Sequence, residues 1–415
     1  ANTHLPDFAF LPVFWLFSGS IFAQRIKSKN RHSPIMKALI LSCVVVVFFA
    51  ACKSKPDTLF TFLPAEHTGI TFANNITESE DMNILVQEYI YNGGGVGAAD
   101  FNGDGLTDLY FTGNQVSNKL YLNKGGLRFD DVTDKAGVTG NGKWCSGVVV
   151  VDINQDGRQD IYVGATIKKD SASRANMLFV NQGNSADGTP RFTEEAAKYG
   201  IDDKGHTTTA AFFDYDKDGD LDLYVLEDYI SDQIPTNYRK KITDGTAINN
   251  DQLYRNDEGR FTNVTKQAGI VYEGFGLGLN ITDINLDGWP DIYVTNDYIS
   301  NDLLYINNRD GTFTNQADKY LRHTCYSAMG NDVVDVNNDG LVDIVALDML
   351  PEDNLRKKRM FGINTYSNYL NNDKYGYQHQ YVRNVLQLNN GLTPEGHPTF
   401  SDIGQLAGVF QTDWS

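Results

Sequence analysis

The pattern D-x-[DN]-x-D-G-x-x-D occurs five times: DFNGDGLTD from Asp100, DINQDGRQD from Asp152, DYDKDGDLD from Asp214, DINLDGWPD from Asp283 and DVNNDGLVD from Asp335. Successive starts lie 52, 62, 69 and 52 residues apart. Such self-similarity means that one supersecondary unit is built again and again. Oxygen-bearing side chains at positions 1, 3, 5 and 9 suit a hard cation, and the glycine at position 6 permits the sharp turn that gathers them. A single match has the composition of any solvated Asx turn. Five in register point to a cation loop.

The flanking residues decide which kind of loop this is. An EF-hand needs a bidentate Glu at position 12 and a helix on each side. Position 12 is instead Phe111, Val163, Val225, Val294 and Ala346. Each loop runs into a β-rich segment (LYF, IYV, LYV, IYV, IVA) and follows another, such as VGAA before Asp100 or TAAFF before Asp214. The loop is therefore the turn of a β-hairpin. A third strand recurs as NKLYLN, NMLFVN, DQLYRN, NDLLYIN and RNVLQLN, and a fourth begins at Phe129, Phe192, Phe261, Phe313 and Phe400. The units tend to close with a small turn and an aliphatic residue (Val138, Ile201, Ile270, Leu321 and Val409), as at Gly137-Val138 or Gly269-Ile270. Four short strands per unit predict an all-β chain, a β-propeller of four-stranded blades, whereas a β-solenoid needs a shorter repeat.

These loops, with Phe275-Gly276 and Met329-Gly330 ahead of two of them, resemble FG-GAP/VCBS repeats, the calcium-loop propellers of integrin α-subunits and many bacterial surface proteins. RNVLQLNNG followed by GQLAGVFQTDWS is similar to FG-GAP proteins that carry a C-terminal ASPIC/UnbV domain. The resemblance implies Ca2+ at about five sites, held by side chains at positions 1, 3, 5 and 9 and a carbonyl at position 7. The implied side chains are Asp100, Asn102, Asp104 and Asp108, then Asp152, Asn154, Asp156 and Asp160. They continue with Asp214, Asp216, Asp218 and Asp222, then Asp283, Asn285, Asp287 and Asp291, and finally Asp335, Asn337, Asp339 and Asp343. The resemblance also implies seven blades. Five are present here, and the spacing from Val409 places a sixth loop just beyond Ser415.

The N-terminal region reads as an address. Met36 and Lys37 precede an apolar run, Ala38 to Ala51, too short to span a bilayer and suited to a secretory signal. The run ends in small residues before Cys52, similar to the lipobox of bacterial lipoproteins, with Phe49 where Leu is usual. The chain is thus divided into an upstream or anchor segment (1–35), a lipoprotein signal peptide (36–51) and the propeller (52–415), with Cys52 lipidated and the outer membrane as its location. Export permits a disulfide, but Cys145 and Cys325 fall in units that are not neighbours and read as free packing residues. A net charge of −18 argues against nucleic acid as a partner.

In a propeller the strand 1–2 loops share one face and the strand 2–3 connections the other. The long insertions, Asp228 to Asn250 and Asp348 to Val382, fall on the second face, where a protein or glycan partner is expected. Tyr366, Tyr369, Tyr375, Tyr377 and Tyr381 supply rigid amphipathic contact area there. Basic clusters at Lys168-Lys169, Arg239 to Lys241 and Arg356 to Arg359 either form an anionic-ligand site or pair with neighbouring acids. No hydrolase, zinc-protease or nucleotide motif is present. The alternative to a binding scaffold is a calcium-dependent, lyase-like polysaccharide enzyme using Tyr377, His379 and Arg383.

Overall fold

The segments that follow the second, third and fourth aspartate loops are buried on both faces, because each lies inside a sheet that is itself packed between two others. The computed structural model describes residues 58–230, 236–360 and 365–413, and the architecture below is that of the compact unit from Leu63 onward. Residues 1–57, including the signal-like run and Cys52, lie outside the described residues.

Five four-stranded antiparallel sheets follow one another, four of them with strands in sequence order. The first holds β1 (Val96–Ala99), β2 (Asp108–Phe111), β3 (Lys119–Asn123) and β4 (Phe129–Asp131). The second holds β5 (Cys145–Val151), β6 (Asp160–Ala165), β7 (Met177–Asn184) and β8 (Pro190–Glu194). β9 (Thr207–Phe213), β10 (Asp222–Glu227), β11 (Gln252–Asp257) and β12 (Arg260–Asn263) form the third. The fourth contains β13 (Gly276–Thr282), β14 (Asp291–Asn296), β15 (Leu303–Asn307) and β16 (Phe313–Asn315). In the fifth, β18 (Gly330–Val334), β19 (Asp343–Leu347), β21 (Val385–Leu392) and β22 (Pro398–Asp402) are joined with an excursion. That excursion pairs β20 (Gln380–Tyr381) in parallel with β17 (Thr324–Cys325).

The sheets stand side by side as propeller blades. First strands neighbour one another in the order β1, β5, β9, β13, β18. Close approach there demands small residues: a Cβ on Gly147 would meet the Thr208 carbonyl oxygen at 2.7 Å. Each adjacent pair of blades buries its own apolar layer. Tyr110, Leu120, Ile161 and Phe179 pack between the first two, and Tyr162, Leu178, Leu223 and Val225 between the next. Tyr224, Leu253, Ile292 and Tyr305 follow, then Tyr293, Leu304, Ile344 and Phe400. The expected closing residues Val138, Ile201, Ile270 and Leu321 belong to these layers, each no more than 1% exposed, whereas the fifth, Val409, is 39% exposed and belongs to none of them. Both Cys145 and Cys325 are buried and free, as read.

The second insertion departs from the open tyrosine loop expected of it. It contains two helices, α1 (Asn354–Arg359) and α2 (Tyr366–Tyr375). Thr365 caps the N-terminus of α2 by accepting from the Asn368 amide, and Gly376 ends it at φ 81°, a left-handed conformation suited to glycine.

Candidate cation loops and the opposite face

In every blade the residue before position 1 pairs with position 9 across the hairpin, as Ala99 with Asp108 and Thr282 with Asp291. Positions 1 to 8 therefore form the connection itself. Two left-handed residues fold it. Position 6 is always glycine, from Gly105 (φ 83°) to Gly340 (φ 84°), and position 4 is Gly103, Gln155, Lys217, Leu286 or Asn338 at φ 56–73°. This path turns backbone amides inward. In four loops the position 1 carboxylate accepts from the amides of positions 5 and 6, as Asp104 (3.1 Å) and Gly105 (2.7 Å) on Asp100 and Asp287 (2.9 Å) and Gly288 (2.7 Å) on Asp283, whereas Asp214 accepts only that of position 6, Gly219, at 3.2 Å. Position 5 accepts from the amide of position 7, as Asp104 from Leu106 at 2.9 Å.

Position 9 does a different job. Its carboxylate is fully buried in all five blades. One oxygen accepts the amide of position 2 at 3.0 Å, from Phe101, Ile153, Tyr215, Ile284 and Val336. The other accepts the amide of an asparagine in the third strand: Asn123, Asn181, Asn256, Asn307 or Asn389. That asparagine donates its own amide to the carbonyl of position 8. In the second and fourth blades it also reaches back a blade, Asn181 to Phe101 and Asn307 to Tyr215. Asp108, Asp160, Asp222, Asp291 and Asp343 thus pin loop, second strand and third strand together. Burial raises the carboxyls of Asp222 and Asp291 to about 7, even though these amides pull them down.

The donor sets suit a cation unequally. In three of the four loops with Asn at position 3, its amide closes on position 5: Asn102 on Asp104, Asn285 on Asp287 and Asn337 on Asp339, at 2.9–3.0 Å. Arginines also cover position 5 in two blades, Arg158 on Asp156 and Arg309 on Asp287 (Nε at 3.1 Å). The third loop has neither device. Asp214, Asp216 and Asp218 bring ligand oxygens within 4.8 Å of one another. Asp214 Oδ1 and Asp216 Oδ1 are buried there without a hydrogen-bond partner. Buried anionic oxygens in this state fit a hard cation, which would satisfy them all at once. Burial and the Asp218 charge raise the Asp216 carboxyl.

On the opposite face the five tyrosines separate. Tyr366 (76% exposed) and Tyr369 (42%) stack along α2, and His379 lies flat on Tyr369 at 4.3 Å. With Tyr238, Tyr326 and Tyr381 they border a cavity of about 230 Å3. Tyr377 is 5% exposed, packed with Phe275 and Ile299 in the core, and so offers a partner almost no surface. Tyr377, His379 and Arg383 do not form one site. His379 faces Tyr369, and Arg383 donates to Asp402 at 2.8 Å beside His323. Of the basic clusters, Arg239 pairs bidentately with fully buried Glu273 and Arg356 with Asp413, the neutralising outcome.

Residues 100–163 and 283–346 match the family model described as FG-GAP-like repeat. The chain carries FG-GAP-like repeats. Each matched stretch runs from position 1 of one aspartate loop to position 12 of the next, and both are the 52-residue periods without long insertions. The third loop, outside them, keeps the same hairpin register. A 140-residue segment is 34% identical to integrin alpha pat-2 of Caenorhabditis elegans, covering 30% of this chain and 11% of that protein. Among solved structures, an Agrocybe aegerita lectin specific for non-reducing terminal N-acetylglucosamine aligns at 15% identity and TM-score 0.31, over 74% of this chain and 78% of that one. The V. cholerae biofilm matrix protein Bap1 aligns at 12% identity and TM-score 0.30, over 62% and 34%. Superpositions this loose carry no argument about what the FG-GAP-like repeats bind here.

Proposed function

We propose that this chain is a calcium-clamped FG-GAP propeller, exported and anchored to the outer membrane through lipid on Cys52, that serves as a binding scaffold for a protein or glycan. The observation that carries the calcium reading is the third loop, where Asp214, Asp216 and Asp218 converge and two buried oxygens lack any donor. In the other loops positions 1, 3 and 5 have the same backbone path, and their side chains must exchange the Asn or Arg contact for the ion. Affinity should therefore be highest at the third loop and lowest where Arg158 or Arg309 competes.

The partner face in this reading is the one opposite the loops, where Tyr366, Tyr369 and His379 make a stacked aromatic platform. Such a platform suits the apolar face of a sugar ring or an extended peptide. Calorimetric titration of chelator-stripped protein should give about five sites, the tightest lost in Asp216→Ala. Absence of any calcium heat would overturn the reading. On a glycan and peptide array, a Tyr366→Ala/Tyr369→Ala variant should lose the ligands that wild type retains, with an unchanged melt. Equal retention would remove this face as the docking surface.

A further inference from the structure

The segment ahead of the first blade helps to build a second site, remote in character from the aspartate loops. Tyr89 donates to Asp297 Oδ2 of the fourth blade at 3.0 Å, and Tyr298 donates to Glu88. Beside this crossing lies a cavity of about 110 Å3 walled by Tyr89, Trp144, His206 and Tyr229, with Glu88 and Asp228 at its border. His206 and Tyr229 stack at 4.1 Å, and Trp144 is 3% exposed. No lysine or arginine lines the cavity among the described residues. Arg174, which acts on His206 electrostatically, spends its guanidinium on the carbonyls of Lys168, Lys169 and Gly205.

Asp228 is the anomaly. It is 8% exposed and its Oδ1 has no hydrogen-bond partner; Tyr89 hydrogen-bonds to its carboxyl, but burial, followed by the like charges of Asp297 and Glu88, raises that carboxyl well above the ordinary carboxylate range. No ion pair offsets it among the described residues. Burial among other acids disfavours the charged carboxylate, and a cation held in the adjoining aromatic cavity would offset that cost. A divalent metal is a poor candidate, since the converging three-carboxylate set among the described residues is Asp214, Asp216 and Asp218 instead. Aromatic walls with a carboxylate are what an organic cation requires, because ring faces attract charge without stripping it by tight coordination.

We propose that this cavity binds an alkylammonium group, with Asp228 as counter-ion and Tyr89, Trp144 and Tyr229 as its aromatic walls. A free aliphatic amine and a lysine side chain of a partner share this chemistry. The test uses the full chain in saturating calcium, so that a failure here is separable from a failure of the loops. Trp144 fluorescence is followed while n-butylammonium, N-acetyl-lysine methylamide or neutral n-butanol is added, with Trp144→Phe identifying the signal. Both cations should give saturable changes and butanol none. Asp228→Asn should weaken binding by about tenfold or more, and Tyr229→Leu should weaken it as well. Preference for the lysine derivative assigns a peptide side chain, and preference for the alkylammonium assigns a free amine. Absence of saturable binding to either cation overturns the proposal. So does undiminished binding in Asp228→Asn or, should that variant misfold, in Tyr229→Leu.

Discussion

At the residue scale the aspartates of one motif have divided their work. Positions 1 and 5, joined by Asp216 at position 3 of the third loop, gather charge in the loop, whereas position 9 holds two backbone amides in the blade interior. Asp291→Ala strands the amides of Ile284 and Asn307, each buried donor costing roughly 1–3 kcal/mol, and should destabilise the protein with or without calcium. The calcium-free contacts of the Asp287 carboxylate are the Trp289 amide and the half-buried Asn285 and exposed Arg309 side chains, so Asp287→Ala should remove chiefly the calcium-dependent part. Paired urea melts in calcium and in chelator separate the two. Trp289 occupies position 7 of the same loop, so terbium luminescence sensitised by it reports that site. Arg309→Ala frees Asp287 of its guanidinium and should tighten terbium binding there; weaker binding would show that Arg309 supports the loop.

A second residue set responds to pH. Asp251 and Asp302 stand just ahead of the third strands where other blades have Asn118, Asn176 and Asn384, and each accepts from a buried tyrosine, Tyr224 or Tyr293. Burial raises both carboxyls to about 7. In the unfolded chain they ionise near pH 4, so the fold binds more protons between about pH 4 and 7, and stability falls as pH rises through that window. Asp251→Asn and Asp302→Asn should flatten that slope and stabilise the protein by about 1–3 kcal/mol above pH 7. Unchanged pH dependence of the thermal melt would contradict this.

At the element scale the strands were legible because the loops mark them out. The Asp at position 1 follows strand 1, and the Asp at position 9 opens strand 2. Glycine at position 6 was readable from its left-handed requirement. The equal requirement at position 4 was not, since Lys217 and Leu286 carry no such signature. The asparagine ending NKLYLN and its counterparts stood in every third strand, but its role depends on a partner in another strand and emerges only from the fold. The helix over Tyr366–Tyr375 stayed hidden, because YSNYLNNDKY has no apolar stripe and is held by its caps and neighbours. The first insertion is anchored by Arg239 and Glu273. Glu273→Ala leaves the guanidinium unpaired at a cost of about 3–5 kcal/mol, and limited proteolysis should then cut near residues 236–250 first. Uniform resistance there would show that packing alone holds the insertion.

At the scale of the whole molecule, 53 acids against 35 bases are a property of the scaffold more than of a partner. Acids placed at loop positions 1 and 5, and at position 3 in the third loop, repel one another across short connections, and bound divalent ions would relieve that repulsion blade by blade. The most direct test is the thermal melt of the wild-type chain in calcium and in EGTA. With about 1 mM calcium and dissociation constants of order 10⁻⁴ M, each site contributes about 1.4 kcal/mol, so five loops should stabilise the fold by roughly 7 kcal/mol. A melting temperature clearly higher in calcium, reduced in Asp216→Ala, is the expected result; superimposable melts in calcium and EGTA would contradict the calcium-clamped propeller.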